Sequence, residues 1–144
     1  MADRDEQSRL IQSHPEAVLV SARLPLRANL TVLENVAVVL QFRRGADAQQ
    51  ALGSATDLLE RVGLGHCSGW RDPDLGHEER FLAKLLRAVA LAPPIILIDR
   101  PGRQLPDTHY PPFLDAKLSA LEDRFAQCWI VDYEWNAPLY PRRG

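Results

Sequence analysis

The sequence has few of the residues that would place it in a membrane, outside the cell or on nucleic acid. Its two cysteines, Cys67 and Cys128, form neither a CxxC metal motif nor a disulfide framework. No apolar run reaches the ~20 residues that span a bilayer, and the acids of segment 1–14 do not fit a signal peptide. The net charge of −2 gives no basic surplus for nucleic acid or anionic lipid. We therefore expect a cytoplasmic protein with no nucleic-acid partner and no direct membrane insertion.

The remaining composition is that of one globular domain. Apolar residues make up 46% of the 144 residues and charged residues 25%, which is enough to bury a core at this length. We therefore predict a single domain over 1–144. It begins with the polar segment 1–14 and ends with the tail 136–144, which contains prolines and arginines.

The stretch 75–101 predicts a helix followed by a buried strand. Its apolar residues recur at the spacing of one helix face: Phe81, Leu82, Leu85, Leu86, Val89 and Ala90. The helix should run from His77 to about Leu91, because Pro93 and Pro94 forbid its continuation. The mostly β-branched run 95–98 then ends at an acid, Asp99. Because open α/β sheets place their ligand chemistry at the carboxyl ends of strands, Asp99 is a candidate site residue.

The other elements follow from caps, periodicity and prolines. Thr31 and Glu34 form a capping-box pattern that starts a helix at Val32, and Gly45 is positioned to end it. Further helices are predicted over 47–62 and after Pro111–Pro112, the latter with Leu114, Leu118, Leu121 and Phe125 on its apolar face. Strands are predicted at 17–21 and 128–132.

The order of these parts resembles the second half of an ATP-binding-cassette (ABC) ATPase. The family's phrases LTVLENV and LLERVGL stand at 30–36 and 58–64, and its signature, helix and Walker B strand follow without a gap. The resemblance implies an α/β fold of the P-loop NTPase type, with a partial parallel sheet of about three strands. It also implies a helical subdomain over 31–92 and a Walker B to switch region over 93–135. The implied strand order is 17–21, 95–99, 128–132.

The same resemblance shows where the family's functional positions fall, and most carry different residues here. The signature motif LSGGQ falls on Leu75, Gly76, His77, Glu78 and Glu79, the Q-loop glutamine on Ala22, the Walker B aspartate on Asp99, the following glutamate on Arg100 and the switch histidine on Tyr133. No GxxxxGK(S/T) motif occurs, and the chain begins about twenty residues before the Q-loop position. We therefore expect a truncated, degenerate relative that is not an enzyme, with no catalytic residue, no metal and no cofactor.

The resemblance implies a protein partner, because the family's helical subdomain and Q-loop receive a coupling helix from a membrane permease. We therefore expect a binding or regulatory role toward an ABC permease or a complete ATPase subunit, with attachment to the inner membrane only through that partner. Strand 128–132 is apolar on both faces, and the neighbour that the family places beside it is missing. The candidates to cover this edge are segment 1–14, the tail 136–144 and the same edge of a second copy. We expect a homodimer, because both end segments are too polar or proline-rich to form a strand.

Three interpretations of individual residues stay open. Asp99 either holds a metal through water or pairs with Arg100 or Arg87, and the pairing is favoured. His66 and Cys67 are a two-ligand pattern with no third ligand nearby in sequence, so a plain loop is favoured over a metal site. The rival to the transporter role is a new ligand-binding or catalytic site. Its members would be His77, Glu78, Glu79 and Asp99.

Overall fold

The predicted strands form one parallel sheet in the computed structural model, which describes residues 12–45 and 47–132. The strands span Ala17–Val20 (β1), Ile95–Asp99 (β2) and Gln127–Val131 (β3). Their order is β1-β2-β3, with Ala17 opposite Ile95 and Ile95 opposite Gln127. The predicted α/β class and strand order are therefore confirmed. All five positions of β2 are buried, as expected for the central strand.

Helices connect the strands and cover the sheet. They span Val32–Arg44 (α1), Ala48–Arg61 (α2), His77–Val89 (α3), Pro101–Gln104 (α4) and Tyr110–Ala120 (α5), with 3₁₀ turns at Gly65–Cys67, Asp72–Asp74 and Glu122–Arg124. Helix α1 packs against α2 and α3, and α3 also packs against β1, so α3 joins the helical layer to the sheet. The division into 31–92 and 93–135 stays a prediction.

The ends of α1 and α2 are fixed by the residues that the sequence indicated. The Thr31 side chain accepts a hydrogen bond from Glu34 N, and the Glu34 side chain accepts one from Thr31 N, which completes the capping box. Gly45 ends α1 with φ 64°, in the left-handed region that glycine adopts easily. Asp47 caps α2 by accepting from Gln50 N at 2.8 Å.

Helix α3 ends two residues before the predicted Leu91. Pro93 disfavours helical backbone at the residue before it, and Ala92 adopts φ 49°. The Ala92 N–H donates to Val89 O at 2.9 Å, which closes the turn. The prolines therefore act on the preceding residues as well as on their own positions.

Helix α5 differs from the prediction at both ends. It begins at Tyr110 and includes Pro111 and Pro112 in its first turn, where the missing N–H groups would have no partner in the helix. It ends at Ala120 with Leu121 as the C-cap residue, so the prediction that the helix extends to Phe125 is wrong. Phe125 follows a 3₁₀ turn in extended backbone, and its ring still packs against the core.

Strand β3 is an edge within the part of the chain that the structure describes. It pairs with β2 on one side and with no described strand on the other. Val131 is buried, whereas Trp129 and Ile130 are half-buried, and the His14 ring packs edge-on against Trp129 at 4.7 Å. Self-association through this edge stays a prediction. Among the described residues, no helix is long and apolar enough to cross a membrane.

Candidate functional site

Buried polar side chains concentrate at the carboxyl end of the sheet. Six polar or charged side chains are buried in the described residues, and five of them are connected there. We name these five the sheet-end cluster: Ser21, Lys84, Asp99, Arg100 and Gln104. Burying such groups costs free energy unless they are paired, so their contacts define the chemistry of this end.

Asp99 is the centre of the sheet-end cluster. Its Oδ2 accepts a hydrogen bond from Ser21 Oγ at 3.0 Å. Its Oδ1 lies 3.4 Å from Arg100 Nη1, forming an ion pair in which both side chains are 6% exposed. The pairing of Asp99 with Arg100 is therefore confirmed. Arg87, the alternative, instead donates to the carbonyls of Leu24 and Pro25 at 2.7 and 2.8 Å.

The backbone of Arg100 turns sharply after β2. It adopts φ 43° and ψ 72°, which is left-handed backbone that non-glycine residues rarely adopt. The Arg100 N–H donates to Val131 O at 2.6 Å, so the turn is tied to β3. This conformation starts α4 directly at Pro101 and holds the guanidinium beside Asp99.

Sequence reasoning missed three members of the sheet-end cluster: Ser21, Lys84 and Gln104. Lys84 Nζ donates to Ser21 O at 3.3 Å, and burial lowers the pKa of Lys84, with Arg87 and Arg80 lowering it further. Gln104 Nε2 donates to Val20 O and Asp99 O at 3.3 and 3.0 Å. The signal for Lys84 was a charged residue inside the apolar stripe of α3. Nothing local in the sequence indicated Gln104.

Loop 21–31, between β1 and α1, is fixed by side chains of the helices that pack against it. The Asn35 side chain, 2% exposed, accepts from Arg27 N at 2.9 Å and donates to Arg27 O and Thr31 O at 3.2 and 3.0 Å. Arg87 holds the loop's other half through the two carbonyls named above. Ala22, at the predicted Q-loop position, is exposed at the beginning of this loop.

The predicted signature residues form the start of α3. Leu75 is buried, and Gly76 is the N-cap residue, whose N–H donates to Glu79 Oε1 at 2.8 Å. Glu78 Oε2 accepts from Thr108 Oγ1 at 2.9 Å, and His77 Nδ1 lies 3.8 Å from Asp107 Oδ2. Tyr133 lies outside the described residues.

The rival site is not brought together by these contacts. His77, Glu78 and Glu79 bond to groups around the beginning of α3, whereas Asp99 bonds to Ser21 and Arg100 at the end of the sheet.

A second polar group surrounds Glu79, and we name His66, Cys67 and Glu79 the signature-turn cluster. Glu79 Oε2 lies 3.4 Å from Cys67 Sγ and 3.5 Å from His66 Nε2. Burial raises the pKa of the Cys67 thiol to about 11, and Glu79 adds to the rise. The Gly76 hydrogen bond holds the pKa of Glu79 below its usual value. The third group beside His66 and Cys67 was missed because it is twelve residues away in sequence.

No family profile matches the chain, but curated relatives and a solved structure do. The lipoprotein-releasing system ATP-binding protein LolD of Shewanella frigidimarina is 35% identical over 106 residues, which are 74% of this chain and 44% of that protein. LolD of Myxococcus xanthus is 42% identical over 80 residues, 56% of this chain and 35% of that protein. The dimeric ATP-binding cassette MJ0796 bound to ADP and Pi matches with a TM-score of 0.67 and 23% identity, over 93% of this chain and 58% of that chain. This chain is a homologue of ABC ATPase nucleotide-binding domains.

The homology to ABC ATPases overturns one prediction. The expectation that the chain is not an enzyme is wrong, because its homologues are ABC ATP-binding subunits and that family is enzymatic. The chain spans less than half the length of the curated relatives that it matches. A motif missing from these 144 residues therefore carries no conclusion about catalysis.

The fold family implies Mg²⁺ with nucleotide, and the sheet-end cluster can be tested for its fit to that ion. Mg²⁺ requires several oxygen ligands at about 2.0–2.1 Å. Asp99 offers one buried carboxylate, which already accepts from Ser21 and is paired with the Arg100 guanidinium. A cation at Oδ1 would stand beside that positive charge. The five cluster residues therefore do not form a Mg²⁺ site.

Proposed function

We propose that this chain binds a membrane permease as part of the ATP-binding subunit of an ABC transporter. The binding surface consists of loop 21–31 and the helices α1 to α3 that pack behind it. The observation that supports it best is the buried bracing of an exposed loop: Asn35 and Arg87 fix the loop backbone, while most of its side chains face outward. A braced loop loses little conformational entropy when a partner binds.

The outward face of the loop has the character of a binding surface. Leu24, a large apolar residue of the loop, is 44% exposed, and Pro25 beside it is also exposed. Arg23 and Arg27 add positive charge at the same loop. Apolar side chains with a charged border suit a helix of a protein partner.

The printed names of the relatives identify the first partner to test. LolD proteins are named as ATP-binding proteins of lipoprotein-releasing systems, so a permease of that kind encoded near this chain's gene is the partner of choice. On this proposal the chain works at the cytoplasmic face of the inner membrane, held there by the permease.

Site-specific photo-crosslinking tests the proposal. A photoreactive amino acid replaces Arg23 in one variant and Asp123 in the matched control, whose side chain is 59% exposed on another part of the surface. Each variant is coexpressed with the permease and irradiated. We expect a covalent adduct with the permease from position 23 and none from position 123. Equal adducts, or none from position 23 while the permease is in the membrane, would overturn the proposal.

We also propose that two copies pair through the β3 edge. Trp129 to Val131 are apolar, and β3 has one strand neighbour among the described residues. A second copy related by a two-fold axis would complete the hydrogen bonding of this edge. Light scattering at micromolar concentration should then report a dimer, with slow amide exchange at 129–131. A monomer whose 129–131 amides exchange as fast as a loop would contradict this pairing.

A further inference from the structure

The signature-turn cluster brings together three different metal-binding groups from two segments. His66 and Cys67 lie in the 3₁₀ turn after α2, and Glu79 lies in the first turn of α3. Their ligand atoms, an imidazole nitrogen, a sulfur and a carboxylate oxygen, all lie within 4.8 Å of one another. The sequence alone indicates two candidate ligands, His66 and Cys67, and the fold adds Glu79 as a third.

Two of the three separations match those of a tetrahedral zinc site. Zinc binds nitrogen and oxygen at about 2.0–2.2 Å and sulfur at about 2.3 Å, which places ligand atoms roughly 3.3–3.7 Å apart. Glu79 Oε2 lies 3.4 Å from Cys67 Sγ and 3.5 Å from His66 Nε2. The ligand atoms of His66 and Cys67 lie within 4.8 Å of each other, and the exposed His66 side chain has room to move toward an ion bound by the other two.

We propose that His66, Cys67 and Glu79 form a Zn²⁺ site whose fourth position is open to water. The donor set excludes Mg²⁺ and Ca²⁺, which prefer oxygen ligands alone, and suits a borderline-soft ion. The proposal stands on this geometry and does not depend on the permease-binding function.

The surroundings hold the three ligands in place. Glu79 Oε1 accepts from Gly76 N at 2.8 Å, which directs Oε2 toward the cysteine and histidine. Cys67 is fully buried, and the Trp70 ring packs edge-on against His66 at 5.5 Å. Arg80, the next residue in α3, forms an ion pair with Asp72 at 2.7 Å and not with Glu79. Such positioning reduces the cost of ordering ligands around an ion.

Zinc binding replaces one hydrogen bond with coordinate bonds. Without metal, the Cys67 thiol donates to Glu79 Oε2. On binding, the thiol proton leaves to solvent, the thiolate and the Glu79 oxygen each form a bond to the ion, and neutral His66 binds it through Nε2. The metal then links the turn after α2 to the beginning of α3, where the family's signature motif is predicted to lie.

Metal titration of the tag-free 144-residue chain tests the proposal. Zn²⁺ is titrated against a chromogenic chelator, and Co²⁺ is titrated to detect the charge-transfer absorption of a thiolate–cobalt bond. We expect one ion per chain, a thiolate–cobalt band and a higher melting temperature with zinc. The absence of saturable binding, or of the thiolate band, would overturn the proposal.

The chain offers a matched control for each ligand. Cys67→Ser, His66→Gln and Glu79→Gln are compared with Cys128→Ser, His77→Gln and Glu78→Gln. Loss of an outer-shell partner alone typically costs 10–100-fold in metal affinity, so each ligand variant should weaken zinc binding by at least about tenfold. The controls should stay within about twofold of the parent chain.

Two results besides weak binding would count against the site. One is an equal loss in ligand and control variants, which would indicate adventitious surface binding. The other is a cobalt band that survives Cys67→Ser. If Cys67→Ser fails to fold, Glu79→Gln still tests the zinc site. Its amide oxygen can accept the hydrogen bond from Gly76 N that Glu79 accepts in the parent chain, so the beginning of α3 is kept.

Discussion

Helix α3 contributes one residue to each of two polar clusters that differ in charge balance and burial. Lys84 belongs to the sheet-end cluster, where Asp99 is 5% exposed and two cations, Lys84 and Arg100, are buried with it. Glu79 belongs to the signature-turn cluster, where its side chain is 28% exposed and meets an imidazole and a thiol. In the first cluster, Asp99 pairs with Arg100 and Lys84 donates to a backbone carbonyl. The second cluster instead brings nitrogen, sulfur and oxygen ligand atoms within 4.8 Å of one another. The same helix therefore supports a structural cluster and a candidate binding cluster.

The largest expected effect comes from removing the acid of the sheet-end cluster. Asp99→Asn keeps an oxygen for Ser21 but removes the charge facing the buried Arg100 guanidinium. Breaking a buried ion pair from one side typically costs about 3–5 kcal/mol. Urea unfolding should show a loss of that size, whereas Asp107→Asn, at a side chain 90% exposed, should be near neutral. A loss below about 1 kcal/mol would show that Asp99 and Arg100 interact weakly.

A smaller effect is expected from loosening loop 21–31. Arg87→Met retains much of the apolar stem but removes the hydrogen bonds to Leu24 O and Pro25 O. Water replaces part of these bonds because the loop is exposed, so we expect a loss of about 1–2 kcal/mol. Amide exchange across 23–30 should become faster, with no such change in Arg23→Met. Unchanged exchange in Arg87→Met would mean that the loop is held by Asn35 alone.

The third prediction concerns the pH dependence that Lys84 gives to the sheet-end cluster. Burial lowers the pKa of Lys84 below its usual 10.5, so the folded state releases the proton at lower pH than the unfolded state. Between these two pKa values, unfolding takes up a proton, and stability therefore rises with pH. Lys84→Met should remove this rise. Urea unfolding of both proteins from neutral to alkaline pH measures it, and parallel stability curves would contradict it.

Local sequence signals predicted the helices and strands of the fold better than they predicted the two clusters. The capping pair Thr31 and Glu34, the stripe of α3 and the run 95–98 each specify structure within one short segment, and each was confirmed. The end of α3 and the beginning of α5 were misplaced because proline acts differently in a first turn and after a helix.

The clusters depend on contacts that are distant in sequence. Ser21 and Asp99 are 78 positions apart, and Cys67 and Glu79 are 12 apart. Asp99 carried a local signal because it ends a buried strand, and Lys84 carried a weaker one as a charged residue within the apolar stripe of α3. The Ser21 hydroxyl and the third group of the signature-turn cluster required the packed fold.

The smallest effect on stability is expected from Glu79→Gln in the signature-turn cluster. Like Asp99→Asn in the sheet-end cluster, it replaces a carboxylate with an amide. In metal-free buffer, Glu79→Gln retains an oxygen for Gly76 N and leaves no buried cation without its acid. We therefore expect a loss of less than about 1 kcal/mol at neutral pH, because Glu79 is partly exposed and its charge interactions are screened. The pKa of Glu79 lies below its usual 4.5, so its contribution is present above that value and is lost as pH falls through the lowered pKa. The parent chain and Glu79→Gln should thus converge in stability in acid. A loss at neutral pH as large as that of Asp99→Asn would show that Glu79 also compensates a buried charge, and the contrast between the two clusters would be wrong.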